Sequence, residues 1–322
     1  MENLLAAWQE FIIGKRSRAD VQTFARDLMH NLLVLHEHLA SGTYFHAPYM
    51  AFTISDPKTR SIHKASVADR VLHRAIYRKL YPFFDRIFVS DSFSCRMGKG
   101  THRALDRFDR MARQVSKNHR RTVWVLKCDV RKFFASVDQR ILLGMLHERI
   151  IDKRLVQLFQ TVLGSFSTRT VGVGLPLGNL TSQLFANVYL DAFDQFMKQR
   201  LHVKRYIRYA DDFAILSDER QYLECLLPII ADFLWRELRL QLHPMKVELR
   251  TVASGVDFLG WIHFPDHRVL RTTTRRRMFE SMRDTLKLTS VASYQGMLRY
   301  GNSRGIQAQV DEYISSVSSP FR

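Results

Sequence analysis

The 322 residues carry 49 Lys and Arg against 31 Asp and Glu, a formal net charge of +18, with 46% hydrophobic residues and only 14 glycines and 8 prolines. That composition excludes a disordered or fibrous chain, and the length suits about two domains or one core with appended subdomains. The positive excess points to a polyanionic partner and away from a membrane, because no apolar run approaches the ~20 residues of a spanning helix.

The three cysteines, Cys95, Cys128 and Cys225, are too widely spaced for a metal pair or a disulfide scaffold. The first residues, MENLLAAWQEF, lack the basic start and small-residue cleavage site of an export signal, so a reducing cytoplasm is the expected location. Residues 1–43 read as a helical segment. Ser17 or Asp20 is the candidate N-cap for a run bearing Phe24, Leu28, Leu32 and Leu35, stopped near Gly42. Residues 44–262 alternate strand-like runs with amphipathic helices, the mark of a mixed core in which the chemistry should lie. Residues 263–322 are basic and helical in period, interrupted at Gly296, Gly301 and Gly305.

Within the middle region the 124–130 run, WVLKCDV, reads as a buried strand ending at Asp129. A carboxylate there is costly unless it is paired, binds a metal or caps the next helix. Downstream, RYIRYADDFAIL over 205–216 places Asp211 and Asp212 side by side between β-prone runs, which reads as a tight hairpin. Adjacent acids repel, and a shared divalent cation, magnesium by preference, is the simplest reason to hold them together.

Tyr-Ala-Asp-Asp between hydrophobic runs, with a strand-terminal Asp about 80 residues upstream, resembles the reverse transcriptases over roughly residues 45–262. The resemblance implies an α+β right-hand polymerase with a ferredoxin-like palm, fingers and a short helical thumb over 263–322. It implies two magnesium ions on Asp129, Asp211 and Asp212, and Lys246 as general acid beside the leaving pyrophosphate. Lys58 and Arg60 would grip the incoming triphosphate. Phe134 would lie beneath the sugar and select deoxynucleotides, with Phe133 turned into the core. The VDFLGW segment resembles a primer-grip hairpin in which Gly260 lets backbone approach the primer.

The 174–187 segment, GLPLGNLTSQLFAN, resembles the family's loop and helix over the templating base pair, through Leu177, Gly178, Ser182 and Gln183. Most relatives carry Gln in place of Leu177 and commonly Pro in place of Gln183. This form is similar to diversity-generating retroelement and bacterial defence reverse transcriptases. Leu177 cannot donate a hydrogen bond to the minor-groove acceptors shared by correct pairs, so relaxed fidelity is expected.

Arg96, Lys99 and His102 stand in a Gly-punctuated loop suited to a phosphate backbone. Arg271, Arg275, Arg276 and Arg277 are candidate thumb contacts to a template-primer duplex. About 60 residues follow Trp261, too few for a ribonuclease H, integrase or zinc-bearing endonuclease, and intron splicing is not expected. The implied partners are an RNA template, a DNA or RNA primer, deoxynucleoside triphosphates and a small helical accessory protein. The alternatives are an antiphage-defence reverse transcriptase and a noncatalytic RNA-binding protein on the same fold.

Overall fold

The computed structural model describes residues 1–55, 59–284 and 288–318. Helix α1 (Glu2–Phe11) buries Leu4, Ala7, Trp8 and Phe11, a stripe at helical spacing, in the main core. Helices α2 (Ala19–Arg26) and α3 (Leu28–Ser41) replace the single run expected there, because the backbone leaves helical geometry at Asp27 (φ −115°, ψ 39°). Neither expected residue caps α2: Arg18 holds that position without a side-chain bond, and Asp20 pairs with Lys64 and Arg70 instead. Gly42 ends α3 in the left-handed region at φ 71°, a geometry glycine adopts without strain. The N-terminal helices thus share one core with the central sheet and its helices.

A hairpin of β1 (Met50–Ser55) and β2 (Thr59–Lys64) leads into α4 (Val67–Ile87), capped by the Ser66 hydroxyl accepting from the Asp69 N–H, and then α5 (Thr101–Val115). Next come β3 (Trp124–Asp129), the single turn α6 (Phe133–Ser136), α7 (Gln139–Arg149), α8 (Lys153–Gly164) and α9 (Leu180–Gln195). Strands β4 (Tyr206–Tyr209) and β5 (Asp212–Ser217), helix α10 (Arg220–Leu238) and β6 (Glu248–Thr251) complete a four-stranded antiparallel sheet of order β4-β5-β3-β6. Connectivity and order are those of the ferredoxin-like βαββαβ unit.

Alternation along these strands divides the protein into two cores. Leu126, Cys128, Phe213 and Ile215 join the large core containing α9 and α10 residues. Their neighbours Val125, Ala214 and Leu216 point the other way, into a core with Phe108 of α5 and Trp261. The central strands β3 and β5 are therefore buried on both faces, which is why they read as mostly apolar runs.

The chain ends in a small sheet, β7 (Val256–Phe258), β8 (Trp261–His263) and β9 (Arg268–Leu270), followed by α11 (Thr272–Asp284), α12 (Leu288–Leu298) and α13 (Arg304–Ser318). The boundary expected at 262 falls inside β8, because this sheet packs with the C-terminal helices through Trp261, Met278 and Val310. Gly301 faces the Trp261 ring so closely that a Cβ there would overlap it. Gly301→Ala is expected to cost about 1–3 kcal/mol and lower Tm by several degrees in a thermal melt. Among the described residues no helix is long and apolar enough to cross a membrane.

Candidate active site

Asp129 ends β3 directly opposite Asp212, the first residue of β5. Asp211 sits on the β4–β5 turn, where Ala210 takes φ 54° and the Val130 N–H donates to the Asp211 carbonyl at 3.2 Å. Register and turn together bring the expected acids to one end of the sheet. Pro244 opens a single 3₁₀ turn that carries Lys246, and the His243 N–H anchors it by donating to the Asp129 carbonyl at 2.8 Å. Lys246 Nζ then reaches Asp129 Oδ2 at 2.7 Å.

Like charges opposite one another across a sheet are unfavourable, and the titration of the acids reflects it. Burial, reinforced by Asp129, raises the Asp211 pKa, while Lys246 and Arg60 pull it down. Asp212 is pushed up to about 6, chiefly by burial and further by Asp129 and Asp211, against the relief of Lys127. No three His, Cys, Asp or Glu side chains among the described residues converge into a ready-made ion cage. The donors are nonetheless hard oxygens with more negative charge than Lys246 offsets, a set that fits a hard divalent cation completed by substrate phosphates.

The hairpin β1–β2 leans over this end of the sheet. The His63 N–H donates to the Leu177 carbonyl, and Asn179 Nδ2 to the His63 carbonyl, each at 2.9 Å. Gly178 adopts φ 103°, and a Cβ there would lie 2.8 Å from Ile62 Cγ2, so glycine is required for this close approach. Arg60 lies exposed on β2, and its charge is felt at Asp211. Lys58 falls outside the described residues. Leu177 is half-buried, Gln183 exposed and Ser182 buried, so of that polar pair only Gln183 faces solvent. Phe133 is buried while Phe134 is half-buried, and the two open a single helical turn.

The three loop residues expected to meet nucleic acid make contacts within the protein. The Arg96 side chain is 4% exposed: it pairs with Asp85 at 2.7 Å, donates to the carbonyls of Asp85, Val89 and Ser92, and lies over Phe88, because a buried guanidinium must satisfy its donors within the protein. Lys99 Nζ donates to the Ser90 carbonyl at 2.7 Å. His102 stacks on Tyr300 with ring centres 3.4 Å apart, joining α5 to the C-terminal region. Gly260 is explained by its turn: with Leu259 (φ 52°) it forms a two-residue connection between paired Phe258 and Trp261. Arg271 pairs with Asp257 at 2.8 Å. Arg275 and Arg276 are exposed on α11, bonded to Gln309 and near Glu280 respectively, and Arg277 donates to the Thr273 carbonyl.

Sequence reasoning missed Arg208, which is fully buried and holds Asp194 with two bonds of 2.7 and 2.5 Å. The same guanidinium donates to Ser92 Oγ, Asn187 Oδ1 and the Ala210 carbonyl, the last at 2.9 Å. An arginine inside an apolar strand, three residues before the first acid, was the available signal.

The family described as reverse transcriptase (RNA-dependent DNA polymerase) matches residues 55–263, well over half of the chain. The chain belongs to the reverse transcriptase family. Protein YkfC of Escherichia coli (strain K12) is 26% identical over 285 residues, covering 76% of this chain and 72% of YkfC. Group II intron-encoded protein LtrA of Lactococcus lactis subsp. cremoris is 20% identical over 320 residues, covering 78% of this chain and 52% of LtrA. The chain thus spans about half the length of that relative. Among solved structures, telomerase from Candida albicans superposes with a TM-score of 0.55 at 11% identity, covering 85% of this chain and 55% of that one. At that identity the likeness is one of fold: the right-hand polymerase architecture of reverse transcriptases, with the ferredoxin-like sheet as its palm.

Proposed function

We propose that this chain is an RNA-directed DNA polymerase. The observation that carries the reading is the placement of Asp129 opposite Asp212, with Asp211 on the adjoining turn and Lys246 against Asp129. Asp129, Asp211 and Asp212 would hold two magnesium ions, which when bound activate the primer 3′-hydroxyl and clamp the in-line transition state at the attacking and leaving oxygens. Lys246 pairs with Asp129 in the resting protein and serves as general acid toward the departing pyrophosphate. Arg60 and Lys58 grip the triphosphate, and Phe134 lies under the sugar, favouring deoxynucleotides. Residues 44–262 act as fingers and palm. The C-terminal helices act as thumb, with Arg275, Arg276 and Arg277 along the duplex.

The finer reading is an error-prone enzyme of the diversity-generating type, copying a dedicated RNA with the help of a small helical accessory protein. Leu177 supports it, since an apolar side chain over the nascent pair cannot test minor-groove geometry by hydrogen bonding. Leu177→Gln is expected to lower misincorporation in sequenced products, and an unchanged error spectrum would sink this reading. Similarity to LtrA favours a second reading, an intron-associated reverse transcriptase. Errors concentrated at one template base support the first reading, and uniformly accurate product supports the second.

A further inference from the structure

Many cations around the palm are already neutralised. Arg107 and Lys198 share Asp91, Arg208 holds Asp194, and Arg268 bridges Asp106 and Asp109. One cleft, of about 460 Å³, differs. It lies between the turn after β3, the loop before α9 and the C-terminal end of α10, and is lined by Arg131, Lys132, Trp235, Arg239, Thr168 and Thr170. None of its three cations has a salt-bridge partner among the described residues. The acid on its rim, Asp138, is committed to capping α7, accepting from the Arg140 and Ile141 N–H groups at 2.9 and 3.3 Å.

The cleft also presents a bare aromatic face. Trp235 is 50% exposed and has no ring or cation partner among the described residues. The floor is continuous with the catalytic strand: the Arg131 N–H donates to the Gln241 carbonyl at 2.8 Å, and Val130 bridges Leu242. An indole face ringed by unpaired guanidinium and ammonium groups, with threonine hydroxyls beside them, matches a planar base carrying phosphate.

We propose that this cleft binds a nucleotide unit, its base stacked on Trp235 and its phosphate held by Arg131, Lys132 and Arg239. The nucleotide belongs to a single-stranded stretch of RNA passing the palm, or is a free nucleoside triphosphate. Binding here does not require the catalytic carboxylates.

The test is ¹⁹F NMR on the full chain labelled with 5-fluorotryptophan, whose 4 tryptophans give separable resonances. Trp235 is assigned from Trp235→Phe. A single-stranded RNA tetranucleotide and ATP serve as separate probes. The Trp235 resonance should move saturably with at least one of them, and which probe moves it at lower concentration identifies the source. Arg131→Gln with Arg239→Gln should weaken that response and flatten the salt dependence of log K for the RNA by about 1.4. These side chains are exposed, so Tm should stay unchanged. A Trp235 resonance that neither probe moves at millimolar concentration, or that moves equally with both arginines replaced, would overturn the proposal.

Discussion

Asp212→Asn is expected to abolish nucleotide addition and, at the same time, make the cation-free protein more stable. The site gathers acids that the fold alone would not choose. Burial, Asp129 and Asp211 raise the Asp212 pKa to about 6, well above that of an unfolded carboxyl. The unfolded chain therefore releases this proton first as pH rises. The contribution of Asp212 to stability is most favourable below about pH 4 and is lost as pH climbs through about 6. Asparagine keeps the shape without the charge. At pH 8 its Tm should exceed the wild-type value by a few degrees, and at pH 5 the gap should shrink. Activity should fall more than about 100-fold, the scale of losing one preorganised electrostatic partner. Magnesium should raise the wild-type Tm at pH 8 and raise that of Asp212→Asn less. Thermal melts with and without the ion check each point, and a lower Tm for Asp212→Asn at pH 8 would contradict the expected destabilisation by the charged carboxylate.

The second large effect concerns Arg208. Arg208→Leu leaves Asp194 buried with only the Tyr206 hydroxyl donating to it, and an uncompensated buried charge of this kind costs about 3–5 kcal/mol. A drop in Tm of roughly 10 °C is expected. Adding Asp194→Leu removes the orphaned charge and should restore much of the stability. Activity should not return. Arg208 also donates to the carbonyl of Ala210, the left-handed residue just before Asp211, and the double variant loses that anchor. Stability and turnover should separate in the double variant. Recovery of both would show that Arg208 serves only the core.

How far the sequence could be read depends on how local the determinants are. Asp129 and the Asp211–Asp212 pair were legible because each borders an apolar strand, and a carboxylate in that position needs a reason. Gly42 as a helix stop is likewise a local signal. The Arg96 pairing was not legible because its partner Asp85 belongs to the preceding helix, and a basic loop looks the same in sequence whether it meets a phosphate or a carboxylate. The stacking of His102 was not legible because Tyr300 lies near the other end of the chain. Trp261 likewise ends a motif in the sequence while it anchors the following helices in the structure, so no local signal shows that residue 262 lies within a strand. The break at Asp27 carries no glycine or proline, and the single aspartate there is a weaker signal in the sequence.

Whether these carboxylates direct DNA synthesis from RNA is measured most directly by primer extension on a defined RNA template with magnesium and deoxynucleoside triphosphates, comparing wild type with Asp211→Ala/Asp212→Ala and sequencing the product. DNA complementary to the RNA is expected from wild type and none from the variant, with RNA binding retained by both. Equal product from the two proteins, or wild-type product unrelated to the template, would contradict a catalytic role for the three acids.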